Sequence, residues 1–523
     1  MLGFILVWLA TIGLSFLPEK MVKPSAHRFH QKTIILQSLL VSMVFLGLTL
    51  IVQRPIFSGL AVFIFLIILV AVSNAKFIAL KEPMVFSDFA MFAQAFKHPR
   101  LYFPFLGLAP VIIAPLFIIG LIILVLSLEP ALAFTLKRII STLVVIALMF
   151  ITSKKIALEL ALNDEPIADN QAFGLQNSLY AYFLQSRLPA HKENIIKTLK
   201  TAPFAPHKPQ KSEENSAKSD FINTPPLFLT ILKQNKPNIT VIQSESFFDA
   251  RRLSPLIKPD LLKNYDAIRK QASQFGKLSV PAWGANTMRS EFTFLTGISY
   301  QDMGFYRYYP YQFIDGMPVS SVASMLRSQG YYCVCIHPHH ASFFGRDRVF
   351  PQMGFDEFID VECFEDAETF GPYISDRAVT DKILEINQEI TDKPLFIFVI
   401  TMENHGPLYL EKTQKNEEQE YFSNKLNGDL EKEKNDLIVY LRHLKNADSM
   451  IGKLTDYYRQ SAKETTLCFY GDHVPSMPKV YQAAGYEDTH SDYFIWHSKQ
   501  KHVAVEKPIN IESLAVSLFS KQR

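Results

Sequence analysis

The stretch 281–297 carries a lone threonine hydroxyl in a setting suited to nucleophilic chemistry. Its entry, Gly284-Ala-Asn286, is small and turn-forming, and the run after Thr287 has the amphipathic spacing of a helix that Gly297 is placed to end. Thr287 would then lie at a helix N-terminus, where free backbone N–H groups and the helix dipole favour an anion. This pattern predicts a nucleophile that attacks a phosphate, although a turn followed by a packed helix would look the same.

Acidic and imidazole side chains end two short β-branched or aromatic runs elsewhere in the chain. Glu245 ends one run, and Asp472 and His473 end the other. Such runs are typical of buried parallel strands, whose carboxyl ends are where open α/β sheets place their sites. Two carboxylates, an imidazole and the Thr287 oxygen form a hard ligand set suited to Mn²⁺, Mg²⁺ or Zn²⁺. Coordination by such an ion is one way to activate a threonine hydroxyl.

Several ordered motifs together resemble the lipoteichoic acid synthase and phosphoglycerol transferase family, membrane-anchored relatives of the sulfatases and alkaline phosphatases. The matching pieces are Glu245, the G-x-x-T-x-x-x-E-F-x-x-L-T-G pattern around Thr287, the stretches 337–347 and 403–406, and Gly471-Asp-His473. The resemblance covers the C-terminal half closely and the membrane half in general layout. It implies an N-terminal α-helical membrane domain, followed by a C-terminal α/β sulfatase-like domain with a mainly parallel sheet covered by helices on both faces.

The resemblance also implies site roles. One divalent ion, Mn²⁺ in preference to Mg²⁺ or Zn²⁺, would be held by Glu245, Thr287, Asp472 and His473. A phosphoglycerol pocket would be lined by His337, Phe344, Arg346 and His405. The planar fork of an arginine suits a phosphodiester, and His405 would act as a general acid on the leaving lipid alkoxide or as a phosphate donor. Phe344 stands where a tryptophan is usual in this pocket, which keeps a wall but removes an indole donor. Glu291 is expected to be structural or to support the residues of the site.

The length and composition of the chain limit the classes of protein to which it can belong. The chain has 523 residues, too many for one ordinary domain, and its apolar residues are concentrated in the first third. A net charge of +3, with no basic helix interleaved with aromatics, gives no support for nucleic-acid binding. Four cysteines are too few for a disulfide scaffold, and they leave the redox compartment undecided.

The first 152 residues contain apolar runs near the ~20 residues needed to cross a bilayer. We predict about five spans, at 1–17, 33–53, Ile56–Ala75, Phe103–Leu128 and the shorter Ile139–Ile151. The first run lacks a basic start and a clear cleavage site, so we interpret it as an uncleaved span.

The basic residues of this region conflict with an external C-terminal domain. Lysines and arginines lie between spans one and two and between spans three and four, and the positive-inside rule would place both loops, and so the C-terminal domain, in the cytoplasm. An external domain requires either that the rule is overridden, or that the short fifth run does not span. We take the first alternative, which puts the catalytic domain on the outer side of the bacterial cytoplasmic (inner) membrane.

Residues 153–230 are predicted to connect the two halves. The run Asn170–Arg187 has a helical apolar stripe expected to lie on the membrane surface, and 203–226 has the Pro-, Lys- and Ser-rich composition of a tether. The catalytic domain is predicted at 231–523, where strand-like and helix-like segments alternate. Within it, the charged stretch Glu411–Asn435 is interpreted as a solvated excursion.

These inferences predict a metal-dependent transferase that works by double displacement. Thr287 would take glycerol phosphate from phosphatidylglycerol and pass it to a hydroxyl of a glycan or of a glycerophosphate polymer. Phosphoethanolamine transferase is the first alternative. A sulfatase-like hydrolase would need a Cys/Ser-x-Pro-x-Arg sequence, which is not present, and a non-enzymatic relative should have lost at least one of the predicted ligands.

Overall fold

The computed structural model describes residues 2–25, 30–91, 108–205, 236–317 and 319–519. The chain divides into two compact units, Met1–Glu193 and Asn194–Arg523. Most of the predicted tether at 203–226 lies outside the described residues.

The first unit is helical. Its elements are α1 Leu2–Lys20, α2 Gln31–Val52, α3 Pro55–Leu80, α4 Leu108–Leu128, α5 Leu136–Leu158, α6 Pro166–Phe173 and α7 Leu175–Gln185, with α8 Pro189–Lys200 following. In the described part of the chain, α1, α2, α3 and α5 are long and apolar enough to cross a membrane. These four helices agree with four of the predicted spans, whereas the predicted span Phe103–Leu128 begins outside the described residues and continues as α4.

The last predicted span is longer than the sequence suggested. Helix α5 has 23 residues, because it continues through the basic pairs that bracket Ile139–Ile151, and Thr135 caps its start. A helix of this length reaches across the ~30 Å hydrocarbon core. The alternative that this segment is too short to span therefore loses its basis.

The apolar stripe in Asn170–Arg187 forms helix as expected, but it does not simply face a bilayer surface. Leu175 and Leu179 are buried against Val22, α3 and Met84, and Ala181 is buried beside α2 and α5. Glu19 fixes the start of α7 by accepting hydrogen bonds from the N–H groups of Leu175 and Gln176. The stripe is thus mostly an internal packing surface, which periodicity alone cannot distinguish from a membrane-facing one.

The second unit is built on an eight-stranded sheet. The strands are β1 Asn238–Ser244, β2 Gln274–Ser279, β3 Tyr332–Ile336, β4 Glu357–Ile359, β7 Leu395–Ile400, β8 Thr465–Gly471, β9 Ser491–His497 and β10 Ile509–Asn510, with a separate hairpin of β5 Thr369–Phe370 and β6 Tyr373–Ile374. Their order in the sheet is β10-β2-β9-β8-β1-β7-β3-β4, and β9 alone runs against the others. This confirms a mainly parallel sheet.

Helices cover both faces of this sheet. They are α9 Lys263–Arg269, α10 Thr287–Thr296, α11 Pro310–Ile314, α12 Val322–Ser328, α13 Arg346–Gln352, α14 Asp376–Glu389, α15 Glu418–Tyr421, α16 Gly428–Lys432, α17 Lys434–Gln460, α18 Pro478–Ala484 and α19 Ile511–Ser517. Strand residues such as Ile397 and Phe469 pack in one core with α14 and α17. On the opposite face, Phe294 of α10 stacks on Phe398 and Tyr470, with ring centroids 5.7 and 5.0 Å apart.

The register of the sheet brings several strand ends to one edge. Ser244, the last residue of β1, pairs with Gly471, the last residue of β8, so that Glu245 and Asp472 leave neighbouring strands at the same level. Parallel strands lie about 4.8 Å apart. Strand β7 adjoins β1 on the other side, and β3 adjoins β7, so the chain segments carrying His405 and His337 leave the same edge.

The charged stretch Glu411–Asn435 is packed rather than a solvated excursion. Four apolar side chains inside it join the core beneath α17, namely Tyr421, Phe422, Leu426 and Leu430. Arg442 of α17 pairs with Glu411 at 3.2 Å and with Glu417 at 2.6 Å. In the sequence these four apolar residues are scattered among many charged ones, so they were not recognised as core residues.

Substitution of Gly471 tests how closely the backbone is packed at the carboxyl edge of the sheet. A Cβ at this position would lie 1.8 Å from the carbonyl oxygen of Phe247, so the backbone leaving β1 passes where a side chain would be. We expect Gly471→Ala to destabilise the domain by about 1–3 kcal/mol, because backbone must shift. The thermal midpoint of the full-length protein measures this. Gly47→Ala, where nothing lies within 4 Å, is the control, and equal midpoints for the two variants would contradict the prediction.

Candidate active site

Three of the four predicted metal ligands lie together at the carboxyl edge of the sheet. Glu245, Asp472 and His473 are buried, and each offers a ligand atom within 4.8 Å of the others. His473 Nε2 is 3.2 Å from Asp472 Oδ2 and 3.6 Å from Glu245 Oε1. Burial, together with the Asp472 carboxylate, raises the pKa of Glu245 to about 8. Two carboxylates buried this close require a compensating positive charge.

The donor atoms of this cluster fit a cation. Asp472 Oδ2 and His473 Nε2 are buried without a hydrogen-bond partner among the described residues. His473 Nδ1 lies 3.1 Å from the carbonyl oxygen of Val474, so this nitrogen carries the proton and Nε2 presents its lone pair to the cluster. An imidazole nitrogen and two carboxylates are a suitable set for Mn²⁺ or Zn²⁺.

Ser246 holds the two carboxylates in place. Its N–H donates to Asp472 Oδ1 at 2.9 Å, and its hydroxyl donates to Glu245 Oε1 at 2.9 Å. This residue has a positive φ of 56°, which only a tightly constrained turn imposes on a serine. Tyr440 of α17 donates to its carbonyl oxygen at 2.8 Å. The sequence analysis did not single out Ser246, although a polar residue directly after a predicted ligand is a usable signal.

Thr287 is bracketed by two contacts with the loop that carries Asp472 and His473. Three residues before it, the Gly284 N–H donates to the Val474 carbonyl at 3.0 Å, and three residues after it, Ser290 donates to the Asp472 carbonyl at 2.6 Å. Thr287 is the first residue of α10, is half-buried, and follows Asn286 in the left-handed conformation. The side chain of the N-cap residue, Asn286, makes no capping hydrogen bond, so the dipole of this helix start is available to an anion.

His337 and Arg346 are already engaged with protein groups. Arg346, 1% exposed, donates from Nη2 to Glu291 at 2.9 Å and from Nη1 to His337 Nε2 at 3.2 Å. His337 Nδ1 donates to the Ile400 carbonyl at 3.0 Å, so both ring nitrogens are bonded. Burial, and then the Arg346 charge, holds the pKa of His337 well below its usual range. Glu291 accepts hydrogen bonds from part of the Arg346 guanidinium. Fewer of its N–H groups are therefore left to bind a phosphodiester than the sequence suggested.

Phe344 packs against the guanidinium of Arg346. Its ring centroid is 5.1 Å from the Arg346 guanidinium carbon, within the range of a cation–π contact. Phe344 has a positive φ of 59°, a conformation that costs free energy in a bulky residue. The aromatic wall predicted from the sequence is therefore built into a constrained turn.

One ring nitrogen of His405, Nε2, has no hydrogen-bond partner in the part of the chain that the structure describes. Its Nδ1 lies 2.7 Å from the Gly406 carbonyl oxygen and 3.3 Å from the Tyr373 hydroxyl, so Nδ1 carries the proton and Nε2 is an acceptor. Burial lowers the pKa of His405, and the neutral ring is favoured. Tyr373 comes from the β5–β6 hairpin, and no motif in the sequence indicated its contact with the site.

Glu403 belongs to the same motif as His405 but points into α17. Its Oε1 accepts from His443 Nδ1 at 3.0 Å and from Asn446 at 2.7 Å. The other ring nitrogen of His443 lies 2.9 Å from Glu411, so an imidazole bridges two carboxylates. Glu403 therefore anchors the loop that carries His405 and does not face the cluster of Glu245, Asp472 and His473.

Comparisons with known proteins agree with this architecture. The Sulfatase family model matches residues 237–520, which is more than half of the chain. The chain belongs to the sulfatase family. The resemblance drawn from the motifs is thereby confirmed for the alkaline phosphatase and sulfatase superfamily, which includes phosphoglycerol and phosphoethanolamine transferases.

Two relatives come from Rhizobium meliloti. The chain is 27% identical over 484 residues to the capsular polysaccharide biosynthesis protein RkpI, covering 90% of this chain and 82% of that protein. It is 33% identical over 270 residues to a "Putative cyclic beta-1,2-glucan modification protein", covering 51% of this chain. The second match spans only 40% of that relative's length.

One solved structure matches along nearly the whole chain. The lipooligosaccharide phosphoethanolamine transferase A (EptA) of Neisseria meningitidis, an integral membrane protein, has a TM-score of 0.52 and 14% identity. The match covers 95% of this chain and 88% of that one. It supports the fold of a helical membrane part followed by a sulfatase-like domain.

Metal binding should depend on the charge of the cluster. We expect the full-length protein to bind one divalent ion, and chelation to lower its free energy of unfolding by about 2.7 kcal/mol when the ion had been present at 100 times its Kd. Asp472→Asn should abolish the response to the ion without destabilising the metal-free protein, because it relieves Glu245 of a buried like charge. Metal content and thermal midpoints with and without Mn²⁺ measure both effects.

Asp488→Asn is the matched control for this substitution. Asp488 also lies beside a histidine, with its Oδ1 2.6 Å from His490 Nδ1, but it does not belong to the cluster of Glu245, Asp472 and His473. This variant should therefore respond to Mn²⁺ like the wild type. Equal metal content in Asp472→Asn and in the wild type would rule out the assigned ligand set.

The bridge between Glu403 and Glu411 should make stability depend on pH. Burial lowers the pKa of His443, but its hydrogen bonds to both carboxylates outweigh burial and raise the pKa to about 9. Because folding favours protonated His443, this residue contributes on the order of 3 kcal/mol to the free energy of unfolding, in full below about pH 6.5. The contribution is lost as the pH rises through 9. Unfolding measured from pH 6.5 to 9.5 should show a smaller loss in His443→Gln than in the wild type. Parallel curves would contradict the bridge.

Proposed function

We propose that this protein is a membrane-anchored, metal-dependent phosphoglycerol transferase that moves glycerol phosphate from phosphatidylglycerol to a glycan hydroxyl. The observation that carries the proposal is the buried set Glu245, Asp472 and His473, with two unpaired donor atoms, beside a helix that begins at Thr287. A nucleophilic hydroxyl, a cation site and an uncapped helix start are the elements that phosphoryl transfer requires.

In the first half-reaction, the Thr287 hydroxyl attacks the phosphorus of the donor. A bond forms between Thr287 Oγ1 and phosphorus, and the bond from phosphorus to the diacylglycerol oxygen breaks. His405 Nε2, which is unprotonated, accepts the threonine proton and returns it to the leaving oxygen, so that diacylglycerol departs neutral. A divalent ion bound by Glu245, Thr287, Asp472 and His473 would lower the pKa of the hydroxyl and neutralise phosphoryl charge.

In the second half-reaction, an acceptor hydroxyl attacks the same phosphorus. His405 takes the acceptor proton and passes it to Thr287 Oγ1 as the threonine ester breaks. The acceptor leaves with glycerol phosphate attached, and the enzyme returns to its starting state.

The remaining pocket residues are assigned to positioning. Arg346 and His337 hold each other, with Glu291 fixing the guanidinium, so their charge and shape are set before the donor binds. Phe344 forms a wall against this pair. We place the domain on the outer side of the cytoplasmic membrane, where the helices of the first unit keep it near its lipid donor. The glucan-modification and polysaccharide-biosynthesis relatives support a glycan acceptor.

Removal of the nucleophile tests the mechanism. Thr287→Val keeps the size of the side chain and should lower transfer from labelled phosphatidylglycerol by about a thousandfold or more, because no covalent ester can form. Thr287→Ser keeps the hydroxyl and should retain measurable activity. Mass analysis of the wild type without acceptor should show a glycerol phosphate adduct on Thr287 and one equivalent of diacylglycerol.

Two other outcomes would revise the proposal. Full diacylglycerol release by Thr287→Val would mean that water or acceptor attacks directly, and the double displacement would be wrong. An adduct with the mass of phosphoethanolamine, formed from phosphatidylethanolamine, would reassign the donor and leave the mechanism intact.

A further inference from the structure

The second unit exposes few large apolar side chains. Among its described residues, the exposed ones are Tyr409, Leu410, Val503 and Val505. Tyr409 is 42% exposed and Leu410 is 54% exposed, and the two are consecutive in the chain. Single exposed apolar side chains are normal on protein surfaces, so the position of such residues decides whether they carry a function. We call Tyr409 and Leu410 the apolar tip.

The apolar tip lies at the edge of the sheet that carries the candidate site. It follows His405 by four and five residues, and a fully extended chain of five residues spans at most ~18 Å. His405 is on the loop after β7, and β7 runs parallel to β1, whose end carries Glu245. The apolar tip therefore belongs to the loop of a residue that we assign to proton transfer.

The two exposed valines lie at the opposite edge of the sheet. The Val505 carbonyl accepts a hydrogen bond at 3.0 Å from the N–H of Phe275, the second residue of β2. Strands β2 and β8 both run antiparallel to β9, so they point the same way. The amino end of β2 is thus at the edge away from Asp472. Val503 and Val505 are apolar and exposed but remote from the site, which makes them a matched control for the apolar tip.

The backbone of the apolar tip is held on both sides. Leu408, directly before it, is buried in the core beneath α17. The Leu410 N–H donates to the Pro407 carbonyl at 3.3 Å, and the Glu411 N–H donates to the Leu408 carbonyl at 3.0 Å. The Glu411 side chain, directly after the tip, pairs with Arg442 at 3.2 Å. Folding therefore fixes Tyr409 and Leu410 in an outward position instead of letting them collapse onto the core.

The polar residues beside the apolar tip suit a membrane surface. Lys412 and Lys415 are exposed, and neither forms an ion pair with a described residue. Asp436 of α17 acts on Tyr409, whose pKa is raised first by burial and then by this carboxylate; burial also raises the pKa of Asp436 itself. An aromatic ring and an aliphatic side chain beside lysines form a combination typical of residues at the boundary between lipid and water.

A bilayer fits this surface better than a protein partner does. Two side chains expose far less than the ~800 Å² that each partner contributes to a stable protein interface. A bilayer requires no such area, because four helices of the first unit, α1, α2, α3 and α5, are long and apolar enough to keep the chain in a membrane. For a tethered domain, even a weak contact with the leaflet is made at high effective concentration.

We propose that the apolar tip inserts into the outer leaflet of the membrane and brings the loop of His405 to the lipid surface. The purpose of this contact rests on the proposed function, in which the donor is a lipid whose acyl chains stay in the leaflet while its headgroup enters the site. The insertion itself is a separate claim that can be tested without any transfer.

The accessibility of a spin label measures the insertion. Cys363→Ser removes the exposed native cysteine, and Leu410→Cys is then labelled with a nitroxide in the full-length protein in phosphatidylglycerol-containing proteoliposomes. Oxygen dissolves in the hydrocarbon core, from which a water-soluble nickel reagent is excluded. The ratio of oxygen to nickel collisions should be at least about tenfold higher for this label than for one at Val503→Cys, because lipid excludes water.

Transfer measurements test the consequence for the donor. The double variant Tyr409→Ser, Leu410→Ser should transfer from long-chain phosphatidylglycerol in vesicles at least about tenfold more slowly than the wild type, because the leaflet contact is lost. With dissolved dihexanoyl phosphatidylglycerol, it should equal the wild type. Val503→Ser with Val505→Ser should leave both rates unchanged. Since all four side chains are exposed, the thermal midpoints of both variants should match that of the wild type.

Three outcomes would overturn the proposal. The first is a label at Leu410→Cys that nickel reaches as readily as the label at Val503→Cys. The second is a label shielded from both reagents, because protein and not lipid would then cover the tip. The third is an equal loss of rate with both donors, which would assign the tip to the reaction site. An inserted tip in a wild type that transfers nothing from phosphatidylglycerol would refute the proposed function and leave the membrane contact standing.

Discussion

The structure depends on one electrostatic constraint, the meeting of two buried carboxylates at the ends of β1 and β8. Glu245 and Asp472 leave paired strands at the same level, and no distant charge can compensate them as well as an ion in their midst. Ser246 holds these oxygens by two hydrogen bonds, and His473, protonated on Nδ1, presents Nε2 to them. Gly471 leaves room for the backbone that follows β1. Without a cation this centre costs the domain free energy, so an ion bound there would stabilise the fold.

Around this centre, the surrounding residues form two kinds of surface. On one side, Arg346, His337 and Glu291 satisfy one another, which gives a rigid wall with few free donors. On the other side, His405 has one ring nitrogen without a partner among the described residues, and the bridge from Glu403 through His443 to Glu411 anchors its loop. A fixed wall suits recognition of a donor, and an unengaged base suits proton transfer, so the division agrees with a two-step reaction.

Much of this could be predicted from the sequence, because strand ends and helix starts have local signatures. The runs before Glu245 and Asp472, and the Gly297 stop of α10, are of this kind. The packing of Glu411–Asn435 was missed because its apolar residues are spaced irregularly among charges, and the antiparallel direction of β9 could not be predicted because strand direction has no local sequence signature. Partners such as Arg346 with Glu291, or Tyr373 with His405, depend on long-range contacts that one sequence cannot reveal.

The register of β1 with β8 also constrains when the centre can form during synthesis. The Ser246 N–H and the Asp472 carboxylate that it holds are 226 residues apart in the chain. Contacts of such long sequence separation form slowly, because loop-closure entropy must be overcome first. The first carboxylate must remain without its partners until most of the domain has left the ribosome. A chain cut short before β8 therefore has only the four adjoining strands β1, β7, β3 and β4 of the sheet, and only Glu245 of the buried triad, so an ion could bind there only late in the maturation of the domain.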